Sequence, residues 1–354
     1  MGSYWSALVV ATVVSTVFRE DCVYSWVVER PAPIDEQPLR RVERAEAMPA
    51  AGQVRVRIIC CGVCRTDLHL AEGQLPAKRP EVTVGHEIVG RVDAVGPGAT
   101  RFALGDRIGV PWLGRTDQTC KFCRRGDENL CLHPVFTGWD VDGGYADACV
   151  VDEAYAYRLP EQLDDEHAAP LLCAGIIGYR ALKRAAVPAA GRLGIYGFGG
   201  SAHIIAQIAL HQGLRVHVLT RGEGNRKLAA ELGADSVGDA TDAPPEPLDG
   251  AILFAPAGEL VPVAMRALDR GGTLAVAGIW LSDIPSLTYA SELFEERQVR
   301  SVTANTRRDG EEFLMLAARL RIMPTTAPYP MTSAPQALSD LAHGRFSGAA
   351  VLHN

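Results

Sequence analysis

The sequence predicts an α/β protein in two unlike parts: a β-rich part, then a doubly wound parallel sheet, with a short return to the first. Three observations carry this. Short β-branched runs broken by Gly and Pro fill residues 26–172. From about Gly175, apolar strand-like runs alternate with runs of helical period. Where the texture changes, the strand-like "RLGIYG" runs into glycines and opens a helix. Strands alternating with helices call for right-handed crossovers, and so for a parallel sheet.

The elements follow in order. In the first part "VRVRII", "EIVGRVDAVG", "DRIGV" and "YADACVV" read as strands, separated by "GPGA" and "DGG". In the second, "SAHIIAQIALHQG" reads as a helix, "RVHVLT" as a strand and "NRKLAAELGA" as a helix. "GAILFAP", "LVPVAMRAL" and "GTLAVAGI" continue the alternation. After about Thr303 a helix, "GEEFLMLAARLR", and a strand, "GAAVLHN", remain. The expected division is an N-terminal extension of unassigned role over 1–25, then 26–174, 175–304 and 305–354.

Composition narrows the class. A chain of 354 residues suits two domains at roughly 100–200 residues each. With 47% hydrophobic and 22% charged residues it can bury sizeable cores. A net charge of -7, with no basic run of five, argues against a nucleic-acid partner. The apolar run Ser6–Phe18 is shorter than the ~20 residues of a membrane span. It also lacks a basic segment before it and a small-x-small site after it. "MGSYWS" fits a myristoylation pattern only formally. No membrane partner is expected. Four of the nine cysteines (Cys64, Cys120, Cys123, Cys131) lie in metal-like contexts, which favours a reducing compartment, the cytoplasm. Cys60 and Cys61 read most simply as small buried hydrophobes.

Gly197, Gly199, Gly200 and Ala202 stand at G-x-G-x-x-G/A spacing between a predicted strand and a predicted helix. Such a turn lets backbone N–H groups approach a pyrophosphate at a helix N-terminus. Alone it is a weak signal; inside a β-α-β-α-β run it predicts dinucleotide binding. The second strand ends in Thr220 and Arg221, with no Asp or Glu for the ribose of NAD. A guanidinium there, with Arg226 and Lys227 nearby, suits a 2'-phosphate and favours NADP over NAD. The bland alternative is an Arg221 that stacks on adenine or points to solvent.

Cys64 in "CGVCRTDLH" and His86 in "GHEIVG" offer zinc a thiolate and an imidazole, and Cys173 in "PLLCAG" offers a third ligand. Three protein ligands leave one tetrahedral position open, as a catalytic zinc requires. Separately they read as a buried thiol, a core histidine and another buried thiol. A second group, Cys120, Cys123 and Cys131, needs a fourth ligand for a closed structural site. Asp117 stands three residues before Cys120.

In this order, "GVCRTDLH", "GHE", the lobe ending "ENLC", "DGGYA", "PLLCAG" and "GFGGSA" resemble the zinc-dependent alcohol dehydrogenases of the medium-chain dehydrogenase/reductase superfamily. The resemblance covers nearly all of residues 26–354. "PLLCAG" is similar to the alcohol and cinnamyl-alcohol branch, whereas polyol dehydrogenases commonly place Glu at the third ligand position. It implies a β-rich GroES-like catalytic domain, a zinc lobe over 111–134 and a Rossmann coenzyme domain.

The resemblance also implies roles. Cys64, His86 and Cys173 would hold catalytic zinc, with Glu87 beside it as an alternative or supporting carboxylate. Asp67 would fix the His86 tautomer. Thr66 would take the alcohol proton and pass it through the cofactor ribose to His69 at the solvent edge. Arg65, Gly278 and the glycine turn would bind coenzyme, and Trp112 and Trp139 would shape a slot for slender alcohols or aldehydes unless they are core aromatics. Asp117, Cys120, Cys123 and Cys131 would hold a structural zinc, with His133 as competitor for the fourth place and an empty site as the alternative. A homodimer or homotetramer is expected. One departure from the resemblance is Ala349 in "GRFSGAAVL", where the family often shows an Arg, in a "G-R-x-x-G-R-x-V-L" pattern, that reaches the coenzyme.

Overall fold

The structure, a computed structural model, describes residues 22–354. The apolar run Ser6–Phe18 and the "MGSYWS" pattern lie outside the described residues. Residues 22–25 open the strand Cys22–Val28, which pairs antiparallel with Leu39–Ala45. Its period-two alternation buries Val23, Ser25 and Val27, so the folded chain begins before the boundary drawn at residue 25.

Six strands build a parallel sheet in the order Ser236–Gly238, Arg215–Leu219, Arg192–Tyr196, Leu248–Leu253, Leu268–Val276 and Gln298–Ser301. This is the doubly wound Rossmann order. Arg192–Tyr196, the first of the six in the chain, sits at the switch point where ligands gather beyond the strands' C-terminal ends. The central strands are mainly apolar because helices cover both faces; Leu193, Ile195, Ile252 and Ala275 are fully buried.

A second, mixed sheet runs Thr326–Pro330, Ala349–His353, Gln53–Val63, Ile88–Val95, Arg107–Val110 and Tyr157–Arg158, with Ala148–Asp152 also paired to Gln53–Val63. Thus the C-terminal segment returns to the sheet formed by the first part. Ala350 lies opposite Val63, one residue before Cys64. One apolar cluster joins the two sheets: Val89, Leu159 and Val351 pack in it with Ile176, Leu193 and Ile205.

Cys173 lies on the joint between the halves. Helix Asp165–Pro170 passes into a wide π-type turn, Leu171–Gly175, and then into helix Ile176–Ala185. Pro170 has no N–H for the i→i−4 ladder, which favours a change of winding there. Among the described residues, no helix is long and apolar enough to cross a membrane.

Candidate active site and metal clusters

Strand Gln53–Val63 delivers Cys64 to the N-cap of a short helix, Arg65–Ala71. Asp67, in that helix, is fully buried and accepts four hydrogen bonds. They come from Cys64 N–H (3.0 Å), Gly85 N–H (3.1 Å), His86 Nδ1–H (3.1 Å) and Tyr145 Oη–H (3.1 Å). An ionised carboxylate has the acceptor capacity for all four. With Nδ1 donating, His86 keeps its lone pair on Nε2. That atom is buried and has no hydrogen-bond partner.

A buried orphan of this kind calls for an explanation. Cys64, His86, Glu87 and Cys173 each bring one ligand atom, all within 4.8 Å of one another. The Cys64 and Cys173 sulfurs are 4.0 Å apart. A hydrogen bond from Cys173 holds the Cys64 thiol well below its usual range, and Cys173 rises in return. Burial opposes charge on His86, yet with no metal bound Asp67 and Cys64 hold its pKa well above the ordinary value, so a metal taking the Nε2 lone pair would displace a proton there. Burial first, then Cys64, pushes Glu87 well up. Two thiols, an imidazole lone pair and a carboxylate make a donor set that fits zinc.

The lobe forms a second cluster. Ligand atoms of Asp117, Cys120, Cys123 and Cys131 also lie within 4.8 Å of one another. Asp117 Oδ1 accepts from the N–H groups of Cys120 and Thr119, each at 2.9 Å. Those two bonds hold the carboxylate well below its usual pKa range. Burial pushes the Cys123 thiol up to about 12, while a backbone hydrogen bond from Cys123 lowers Cys120. His133 is exposed and contributes a backbone N–H to Cys131 Sγ at 3.3 Å; its ring is not in the cluster.

Thr66 is buried with its hydroxyl 3.8 Å from Cys64 Sγ. The sequence reading puts His69 at the solvent edge, but the structure leaves it only 6% exposed. Gln74 Oε1 takes its Nδ1–H, and the Trp280 ring lies 6.0 Å away, centroid to centroid. Trp112 stacks on Phe136 at 4.1 Å, and Trp139 lies parallel to Trp112 at 6.2 Å. The Trp112 ring centre is 6.3 Å from that of His86, so these aromatics wall the metal cluster. Trp139 is fixed by Pro76 O, which accepts from its Nε1–H at 2.9 Å, and by Lys78 Nζ, 4.0 Å over its ring.

At the switch point Gly197 has φ +85°, and a Cβ there would meet Ala255 N at 2.8 Å, so the turn requires glycine. Gly199 caps the helix Gly200–His211 and faces open space. Ala202 is fully buried. Thr220 is buried too, and its hydroxyl accepts from Phe198 N–H at 3.2 Å, tying the turn to the second strand. Arg226 bonds Thr220 O and pairs with Asp239, and Lys227 pairs with Glu231. Arg65, Arg221 and Gly278 are exposed. An open turn at a helix N-terminus fits a dinucleotide.

Tyr145, Gln74, Phe136 and Lys78 were not among the candidate residues. Tyr145 lies in "DGGYA", but its bond to Asp67 spans 78 positions and has no local signal.

Residues 50–161 match the family described as alcohol dehydrogenase GroES-like domain, and residues 200–319 match zinc-binding dehydrogenase. The chain is 56% identical to the probable alcohol dehydrogenase AdhA of Mycobacterium tuberculosis, over 93% of this chain and 96% of that one. It is 34% identical to an alcohol dehydrogenase of Geobacillus stearothermophilus, over 90% and 96%. A solved cinnamyl alcohol dehydrogenase of Sorghum bicolor, 26% identical, superposes with a TM-score of 0.85 over 94% and 97%. The fold is that of the medium-chain dehydrogenase/reductase superfamily. Within it, the chain belongs to the zinc-dependent alcohol dehydrogenases.

Proposed function

We propose that this enzyme transfers hydride reversibly between primary alcohols or their aldehydes and NAD(P), with NADP favoured. The buried, unpartnered Nε2 of His86, converging with Cys64, Cys173 and Glu87, carries this reading. On it, residues 26–174 and 305–354 form the catalytic half and 175–304 the coenzyme half. Cys64, His86 and Cys173 hold the catalytic zinc, and Glu87 stands by as a further carboxylate. Asp117, Cys120, Cys123 and Cys131 hold a structural one. Arg65, Gly197, Gly199, Gly200, Ala202, Arg221 and Gly278 surround the coenzyme.

Bound there, zinc supplies a Lewis acid for the substrate oxygen, and the nicotinamide carries the hydride. The protein does the rest. Asp67 keeps His86 in the Nδ1–H tautomer and so aims Nε2. Thr66 Oγ1 takes the hydroxyl proton of the alcohol. Gln74 Oε1 occupies the Nδ1–H of His69, leaving Nε2 to accept the proton on its way out. Trp112, Phe136 and Trp139 exclude water and admit slender chains.

The second reading is a cinnamyl-type NADPH-dependent aldehyde reductase. The exposed Arg221 and the missing acid at the end of the second strand favour it. A homo-oligomer also fits. Tyr289, Leu293 and Phe294 are exposed in the segment that leads into Gln298–Ser301, the last strand of its sheet, and Val299 is exposed within that strand.

Metal analysis with a panel of alcohols and aldehydes, run with both coenzymes, tests the proposal. Cys64→Ser should lose nearly all turnover together with one metal. Full turnover in a variant lacking metal at this cluster would overturn the mechanism.

A further inference from the structure

Helix Gly200–His211 carries two polar side chains on one face, His203 and Gln207, at i, i+4 spacing. His203 is fully buried, yet both ring nitrogens are used. Nδ1–H donates to Gly199 O at 3.1 Å, in the dinucleotide turn. Nε2 accepts from Thr325 N–H at 3.1 Å, in the segment that re-enters the mixed sheet. One turn on, Gln207 makes a reciprocal pair with Met323. Its Nε2–H donates to Met323 O at 3.2 Å, and its Oε1 accepts Met323 N–H at 3.3 Å.

The segment so gripped is itself fixed. Thr325 O accepts from Ala349 N–H at 2.9 Å. At Gly348, φ +87°, a Cβ would come within 2.1 Å of that same oxygen, so no side chain fits there. Strand Ala349–His353 then pairs with Gln53–Val63, Ala350 opposite Val63. Cys64 is the next residue. An unbroken run of hydrogen bonds and chain therefore leads from the carbonyl of Gly199 to a ligand of the candidate catalytic metal.

We propose that His203 and Gln207 are positioning residues that fix the coenzyme-binding turn against the catalytic sheet, setting the coenzyme in register with the Cys64–His86–Cys173 cluster. The inference rests on the reading of the glycine turn as the dinucleotide site. Only the neutral Nδ1–H tautomer of His203 can make both bonds, since an imidazolium has no acceptor. Burial agrees, lowering the pKa of His203 to about 4.

The test uses the full-length, zinc-loaded enzyme and its variants His203→Leu, His203→Gln and Gln207→Leu. Coenzyme Kd is read from NADPH and NADH fluorescence, and KM is measured separately for coenzyme and for alcohol. His203→Leu should raise coenzyme Kd about tenfold, the scale of a lost buried hydrogen bond. Its zinc content, and its alcohol KM at saturating coenzyme, should stay within about twofold of the parent's. His203→Gln keeps an acceptor near Thr325 but loses the ring's bond to Gly199 O, leaving only the backbone N–H of residue 203 on that carbonyl, and should fall between. Parent-like coenzyme Kd in a folded His203→Leu would overturn the proposal. So would equal changes in coenzyme and alcohol KM, which mark a merely structural role. If His203→Leu does not fold, Gln207→Leu and His203→Gln decide: unchanged coenzyme Kd in both rejects the bridge. A parent enzyme that binds neither coenzyme rejects the dinucleotide reading itself, and the bridge with it.

Discussion

Tyr145 donates its hydroxyl hydrogen to Asp67 Oδ2 at 3.1 Å, from a fully buried position, while Asp67 Oδ1 accepts from His86 Nδ1–H. The tyrosine thus steadies the carboxylate that aims the imidazole. Its ring is fixed independently, since Gly85 leaves the space it fills; a Cβ there would lie 2.4 Å from the ring. Tyr145→Phe should keep the packing and remove one donor of four. Expected are a fall in zinc affinity on the order of tenfold, as for other partners behind metal ligands, and a stability loss of about 1 kcal/mol. Chelator competition and denaturant titration check both. Unaltered zinc retention would leave Tyr145 a packing residue.

The proton path gives an ordered pair of outcomes. Thr66→Ala removes the only hydroxyl beside Cys64 Sγ among the described contacts, and should cut kcat by about 100-fold or more. His69→Gln should cost far less, since on this path His69 receives the proton only after Thr66 has taken it from the alcohol. Gln74→Leu leaves His69 Nδ1 without its acceptor and should lower kcat modestly. Near-normal turnover of Thr66→Ala at neutral pH would remove Thr66 from the path.

Much of this was legible in the sequence, for physical reasons that can be named. The alternation after Gly175 and the glycine turn are local patterns, so a parallel doubly wound sheet with a dinucleotide turn followed from them. Cys64, His86 and Cys173 could be nominated because each is a metal donor by residue type and each lies in one of the ordered motifs that carry the resemblance. Tyr145, Gln74 and Lys78 could not, because their effect depends on contacts that residue type does not announce. His69 was misplaced for a related reason: Trp280 lies 211 positions away, and only the fold brings the two rings together. Thr220 illustrates a subtler gap. Its position suggested the ribose, yet its hydroxyl bonds the turn itself.

His203 makes stability depend on pH in a defined window. Its pKa is about 4 in the folded protein against an ordinary value of 6.5. Above 6.5 the ring is neutral in both states and contributes nothing. Below it, the unfolded chain binds a proton that the folded one refuses, so stability falls as pH drops from about 6.5 towards 4. The loss by pH 5 is roughly 2 kcal/mol. Urea titrations at pH 7.5 and pH 5 should show that extra loss in the parent and not in His203→Gln. Equal pH dependence in the two proteins would contradict the assignment.

Coenzyme choice turns on Arg221, which is exposed, whereas Arg226 and Lys227 already have acidic partners. Arg221→Ala should raise KM for NADP about tenfold and leave NAD within about twofold, since a guanidinium–phosphate pair is a strong, charge-assisted contact. A parent enzyme with a strong preference for NAD would show that the missing acid does not mark a 2'-phosphate site.

Asp117 can be separated into two roles by one substitution. Its Oδ1 accepts from Cys120 and Thr119 N–H, as a loop-capping aspartate does without any metal. Yet the same carboxylate lies within 4.8 Å of three thiols, and a loop cap has no need of them. Asp117→Asn keeps an acceptor for both N–H groups but removes the negative charge. If the aspartate only caps the loop, this variant should match the parent in metal content and melting temperature. If it completes a zinc site, the parent should hold two zincs per chain, and Asp117→Asn should retain the second weakly or lose it. Asp117→Cys should then restore it, since three thiolates already provide the sulfur-rich set that zinc favours. Chelator-resistant zinc counted per chain, with thiol titration of Cys120 and Cys123, decides. Two firmly held zincs in Asp117→Asn, or one zinc with freely reactive thiols in the parent, would exclude the carboxylate as the fourth ligand.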